Sequence, residues 1–442
     1  MNVIAAVDAV LPEVLDDLAR LVAIPSVSAL PAHAADVRAS AEWIVQRVRA
    51  LGCDDVRIVA EGGQPAVIAR FPGPAGTPTV CLYAHHDVQP TGDVTKWTSE
   101  PFRVREAGGR LFGRGVADDK AGVMVHLAAL RAFGGRPPVG VTLFVEGEEE
   151  TGSASLATII ERHRELLSAD AYVIADSANW NVGQPAFTTT LRGLVDCVVE
   201  VSTLDHALHS GQYGGAVPDA LTTLCRLLAT LHDADGNVAI EGLGSMPDPA
   251  LDYPEDRLRA ETGVLDGVRL LGEGPIAGRL WTRPTATVIG IDATSVADAS
   301  NTLAPSARAK VSVRIAPDAD PDAALAALTA HLIGHAPWGC RVRVTSGSKG
   351  SGTTVPFDGP LAAAAREAFI EAWGVEPVFT GQGGSIPMVA DFQRAFPGAG
   401  IVVTAVCDPD SRMHGIDESL YLDDFAKACR AEALLLAKLG GR

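Results

Sequence analysis

Aromatic residues make up only 5% of this 442-residue chain, and Lys plus Arg number 36 against 54 Asp plus Glu. No apolar stretch approaches the roughly 18 residues that a membrane-crossing helix requires. A formal charge of −18 repels phosphate backbones and anionic lipid, so nucleic acid and membrane are not expected partners. The seven cysteines include no Cys-x-x-Cys pair, which removes the usual redox and zinc-ribbon readings. The start, MNVIAAVDAVLPEVLDDLARL, has acidic residues where an export signal needs a basic start and an unbroken apolar centre. A reducing cytoplasm is the expected location. Nucleophile elbows and Gly-rich phosphate loops are also missing in a strand-to-helix setting.

What remains is an ordinary globular composition, 47% hydrophobic and 20% charged, in a chain too long for one small core. Helical spacing of Val10, Leu11, Val14, Leu15, Leu18, Leu21 and Val22 predicts a first helix ending before Pro25, and a second is expected near 35–51. Apolar runs at 79–84, 139–145 and 171–175 alternate with helical stretches at 121–133 and 155–167. Such runs indicate buried, mostly parallel strands with helices on both faces. After about residue 181 the pattern changes. A half-buried strand at 195–202, a helix at 220–231, strands at 285–291 and 309–315, a helix at 321–335 and a strand at 341–345 suggest an inserted α+β unit. SGSKGSGTT reads as a return linker, followed by a helix at 361–373, a strand at 401–406 and a helix at 423–439. The expected division is 1–182, 183–350 and 351–442.

In an open α/β sheet, ligands bind beyond the carboxyl ends of the strands. There the first apolar run meets His85, His86 and Asp87, the second Glu146, Glu148, Glu149 and Glu150, and the third Asp176, while Asp118 and Asp119 precede a helix. Singly, each carboxylate could be a helix cap. Together they would repel one another unless cations neutralise them, and imidazole with carboxylate suits Zn or Mn.

The segments YAHHDVQP (83–90), GRGVADDKAG (113–122), EGEEETGS (146–153) and LHSGQYGGAV (208–217), with LVAIPSVS near Leu21 and GGSIP (383–387), resemble the motifs of carnosinase-type dipeptidases. These belong to the co-catalytic metallopeptidases that include aminoacylases, succinyl-diaminopimelate desuccinylase and glutamate carboxypeptidases. The resemblance implies a phosphorylase/hydrolase-like α/β catalytic domain, with a mostly parallel sheet flanked by helices, and an inserted α+β lid and dimerisation domain. It implies two divalent ions, zinc or else manganese: one on His85, Asp118 and Asp176, the other on Asp118, Glu150 and His414. Asp118 would bridge them, and the 118–119 peptide bond would be cis. His86 takes a non-ligand position, and strand alternation agrees that only one of the two adjacent histidines faces the site.

By the same resemblance, Glu149 is the general base activating a metal-bridging water, and Asp87 holds the His85 ring. His209 would stabilise the oxyanion from the neighbouring subunit of a homodimer, and Asn301, Arg314 and Ser385 would bind substrate, with Arg314 suited to a bidentate hold on a free carboxylate. Ala304, Gln382 and Asp417 depart from common Pro, Glu and Asn, which bears on substrate preference rather than on hydrolysis. The implied activity is hydrolysis of dipeptides or short peptides. The alternative is cleavage of an N-acyl or N-carbamoyl group from an amino acid.

Overall fold

The computed structural model describes residues 2–384 and 386–441, apart from the side chain of Pro387. The chain divides into two compact units: residues 1–189, 355–380 and 387–442 form the first, and residues 190–354 with 381–386 form the second.

The first unit is built on a sheet whose strands follow the spatial order Val56–Val59, Ala66–Phe71, Gly140–Glu146, Thr79–His85, Ala171–Ile174, Gly400–Val403, Ala186–Leu191. The four central strands run parallel, and those on either side join antiparallel. This arrangement explains the continuous apolar runs, because both faces are covered. Val80, Leu82 and Ala84 belong to the core shared with helices Val3–Val22, Lys120–Ala132, Gly359–Trp373 and Leu422–Leu439. On the opposite face Tyr83 packs against Phe144 with the rings tilted, and Tyr172 meets Phe392 of helix Pro387–Ala395 with ring centroids 4.7 Å apart. The helix expected at 155–167 is broken at His163, where the backbone leaves helical geometry (φ −113°, ψ 23°) between Leu156–Arg162 and Arg164–Leu167.

The second unit carries an antiparallel sheet in the order Thr285–Asp292, Ser306–Ile315, Gly193–Ser202, Arg341–Gly350. Alternate residues of the Ser306 strand, from Ala307 to Ile315, are buried with Leu224 and Leu227 of helix Ala220–Ala229 and Leu328 and Leu332 of helix Pro321–Gly334. The other face of that strand carries Arg308, Lys310 and Arg314. The strand expected at 341–345 continues into the expected linker SGSKGSGTT as far as Gly350: Arg341–Gly350 pairs with Gly193–Ser202, with a register shift between Ser346 and Lys349. Asp196 makes the difference, since its carboxylate accepts the Ser348 N–H at 3.2 Å and gives a polar segment a partner. Among the described residues no helix is long and apolar enough to cross a membrane.

Candidate metal centre

The parallel strands deliver their last residues to one rim of the sheet. His85 ends its strand, and Asp176 lies just beyond Ile174. Asp118 directly precedes the capping residue of helix Lys120–Ala132, and Glu149 and Glu150 open the short turn after Glu146. His414 arrives from the distant segment before strand Ser419–Tyr421 at φ +62°, a left-handed conformation uncommon for histidine. The peptide bond between Asp118 and Asp119 is cis.

Five of these side chains fall into two overlapping groups, His85 with Asp118 and Asp176, and Asp118 with Glu150 and His414, whose ligand atoms all lie within 4.8 Å of one another in each group. His85 Nε2 is 3.1 Å from Asp118 Oδ1 and 3.9 Å from Asp176 Oδ1. His414 Nε2 is 3.1 Å from Asp118 Oδ2 and 3.2 Å from Glu150 Oε2. Ligands about 2.0–2.2 Å from a tetrahedral ion are separated by roughly 3.3 Å, so the short donor–donor distances suit a shared cation. Asp118 offers one oxygen to each group.

The electrostatics point the same way. Burial would raise the Asp118 carboxyl, but the His414 and His85 rings beside it hold it well below the carboxylate range. Asp118 and Glu150 push His414 up to about 10. Asp176 is raised to about 7 by burial, against the His85 ring and with the Asp118 charge, and burial followed by the Asp176 charge lifts both Asp119 and Glu149. At these three carboxylates burial and neighbouring negative charge outweigh the His85 ring. Nitrogen and carboxylate donors facing a surplus of negative charge fit a divalent cation.

Supporting contacts explain how the donors are held. His86 turns the other way, its Nε2 2.9 Å from the Pro65 carbonyl, and burial drives it down to about 4, which keeps it neutral. Asp87 does more than sequence suggests. Its carboxylate accepts the N–H groups of Glu149 (3.2 Å) and Glu150 (3.1 Å) and the Ser28 hydroxyl (2.6 Å), whereas His85 Nδ1 lies nearer its backbone carbonyl (3.0 Å) than its carboxylate (3.4 Å). Asp87 therefore orients the whole Glu149–Glu150 turn as well as the ring. Glu148 is a backbone clamp, taking the N–H groups of Gln64 (2.9 Å) and Ser155, and Glu146 accepts the Tyr83 hydroxyl at 2.7 Å.

Sequence reading missed two positioning groups, Gln89 and Glu418, and took a third, Asp119, only as one of the rim carboxylates. Asp119 accepts the His85 N–H at 3.1 Å while capping its helix at Gly122, where a Cβ would lie 2.3 Å from the Asp119 carboxylate. Gln89 donates to Glu150 Oε2 at 2.7 Å. Glu418 is fully buried and accepts the N–H groups of Gly115 (3.0 Å), Ala117 (3.0 Å) and Asp118 (3.1 Å), with Arg114 donating to its Oε2 at 2.7 Å. An acidic residue four positions after a candidate ligand histidine was the available signal for Glu418.

The remaining expected residues lie in the second unit. His209 is exposed, its Nδ1 accepting the Gly211 N–H at 3.0 Å, and it pairs across strands with Thr302, next to exposed Asn301. Arg314 is half-buried on the sheet face opposite the core. Ser385 lies outside the described residues.

A cluster of histidine and carboxylate donors at the carboxyl rim of an α/β sheet, with a further half-buried glutamate beside them, defines a metal-dependent hydrolase. Comparison with known proteins narrows the class. Residues 81–438 match the family described as peptidase family M20/M25/M40, and the chain belongs to that family. A cysteinylglycine-S-conjugate dipeptidase of Corynebacterium striatum is 34% identical, covering 97% of this chain and 95% of that protein. Among solved structures, a dipeptidase of Saccharomyces cerevisiae is similar with a TM-score of 0.84 at 25% identity, over 100% of this chain and 98% of that one. Human carnosine dipeptidase 1 shares the fold with a TM-score of 0.84 at 24% identity, again over 100% and 98%.

Proposed function

We propose that this protein is a dinuclear metal-dependent dipeptidase, with His85, Asp118 and Asp176 on one ion, Asp118, Glu150 and His414 on the other, and Glu149 as general base. The observation that carries the reading is the pair of donor groups sharing Asp118, with the half-buried Glu149 beside them yet a member of neither. The relatives' names and the full-length match in two of them support a dipeptide substrate.

When bound, divalent metal polarises the scissile carbonyl and lowers the pKa of a coordinated water. The protein's own groups do the rest. Ionised Glu149 takes the attacking water's proton at a carboxylate oxygen and, once protonated, gives it to the departing amine nitrogen. Asp87 fixes where that carboxylate stands by holding the backbone of residues 149 and 150. Arg314, with Asn301 and Ser385, holds the substrate, and His209 donates a hydrogen bond to the developing oxyanion.

The second unit acts as a lid and dimerisation domain, the active form is a homodimer, and His209 completes the neighbouring protomer's site. Strand Thr285–Asp292 supports this, because it is a sheet edge with Ile289 56% and Ile291 45% exposed. Zinc fits the donors, as does manganese. Unpaired cysteines suit a cytoplasmic location. Assaying a panel of dipeptides beside N-acyl and N-carbamoyl amino acids, with and without chelator, tests the reading. Chelator-sensitive cleavage of dipeptides alone supports it, and turnover confined to N-acyl or N-carbamoyl substrates overturns it.

A further inference from the structure

Arg192 and Arg314 stand out among the basic residues of the second unit. On the open face of strand Ser306–Ile315, Arg308 pairs with Asp292 and Lys310 lies 3.4 Å from Asp196, but Arg314 has no carboxylate partner among the described residues. Thr285 is opposite Arg314 across the strands, so the two side chains share that face. Arg192 reaches the same place: its Nη1 donates to Thr285 Oγ1 at 3.4 Å and to the Arg283 carbonyl at 3.2 Å, and its Nε to the Gly383 carbonyl at 3.2 Å. It is 93% buried and also unmatched by any carboxylate among the described residues. Neighbouring Arg283 differs, since Asp248 neutralises it.

Two guanidinium groups near one another without a counter-charge are costly. Burial, aided by the charge on Arg314, lowers Arg192 to about 10. Neutral carbonyls fix the Nε and Nη1 edge of Arg192 and leave Nη2 without a partner among the described residues, and among those same residues the Arg314 guanidinium has no hydrogen-bond acceptor. An arginine oriented by carbonyls, sharing Thr285 with a second arginine and carrying a spare donor nitrogen, is arranged for an external anion.

We propose that Arg192 joins Arg314 in a two-arginine subsite for the free α-carboxylate of the substrate, making the enzyme selective for peptides with an unblocked C-terminus. This rests on the dipeptidase reading for the identity of the ligand. The anchor would also couple carboxylate recognition to the Gly383 segment, which Arg192 holds.

Binding of alanylglycine and its C-terminal amide to metal-loaded Glu149→Ala protein, measured by calorimetry, tests this without turnover. The free carboxylate should bind more tightly than the amide. Adding Arg192→Gln should weaken alanylglycine by ~10- to 100-fold and the amide by less than about threefold, since a charge-assisted contact is lost only for the acid. Arg192→Lys, which keeps the charge without the fork, should show the same ordering with a smaller loss, and it carries the test if Arg192→Gln does not fold. Equal losses for acid and amide would reduce Arg192 to a structural support and overturn the proposal, as would the absence of any preference for the acid. Hydrolysis of alanylglycine by the wild type is a separate measurement that judges the dipeptidase reading alone.

Discussion

Replacing Glu418 by alanine should damage both the stability of the first unit and its hold on metal, although Glu418 is not itself a donor. Its carboxylate satisfies three backbone N–H groups in the segment that ends at Asp118 and pairs with Arg114, which is 1% exposed. Removing one partner of a buried ion pair costs about 3–5 kcal/mol, and each orphaned buried donor adds ~1–3 kcal/mol before water fills the space. These terms overlap, so the expected loss is at least about 4 kcal/mol, a large share of the ~5–15 kcal/mol that folded domains possess. Glu418→Gln keeps the shape and one acceptor oxygen but turns an amide N–H₂ toward either the Arg114 and Gly115 donors or the Ala117 and Asp118 donors, so it should fall between alanine and wild type. Because Asp118 would lose the anchor on its own N–H, metal affinity should drop by ~10- to 100-fold, as is usual when a ligand's support is removed. Urea denaturation and competitive metal titration read the two effects. A Glu418→Ala protein within about 0.5 kcal/mol of wild type and with unchanged metal affinity would refute the clamp.

Other expectations follow from the same geometry. Glu149→Ala should abolish turnover with metal content intact, whereas Glu150→Ala should lose metal; kinetics run beside metal analysis would expose a one-residue error if the phenotypes were reversed. Burial raises Glu146 to about 7 from 4.5, so its contribution to stability is full below about pH 4.5 and is lost as pH rises through 7, by ~3 kcal/mol. Glu146→Gln, still able to accept the Tyr83 hydroxyl, should remove that dependence, and denaturation midpoints at pH 5 and 8 would differ as much as in wild type if this is wrong. His209→Ala should lower kcat by ~100- to 1000-fold without changing metal content. Mixing it with Glu149→Ala protein under subunit exchange should restore some activity, and silence after exchange confirmed by mass would rule out action in trans.

The legible parts of this protein were those that depend on local pattern. Apolar runs marked the central strands because both sheet faces are covered, and the carboxyl ends of those strands led to His85, Glu149, Glu150 and Asp176. His414 came from motif resemblance alone, since nothing in its local pattern links it to a strand 329 positions earlier. Other features depend on distant partners. Residues 346–350 read as the start of a linker, yet they extend the strand begun at Arg341, with the Asp196 carboxylate accepting the Ser348 N–H. Nothing in the local pattern singles out Glu418 or Arg192, whose burial goes with contacts to backbone groups of other segments. The role of Asp87 was legible only in half: a carboxylate beside a ligand histidine suggests a hold on the ring, but its grip on the Glu149–Glu150 backbone requires the fold.

The central claim is that catalysis needs two ions held around Asp118. Protein stripped by chelator, then titrated with zinc while bound metal and dipeptide hydrolysis are followed on the same sample, tests it most directly. Activity should be absent in the stripped protein and reach its maximum only as occupancy approaches about two ions per chain, with the fold largely retained throughout because the sheet core is apolar. Full activity in metal-free protein, or a maximum already reached at one ion per chain, would contradict the account.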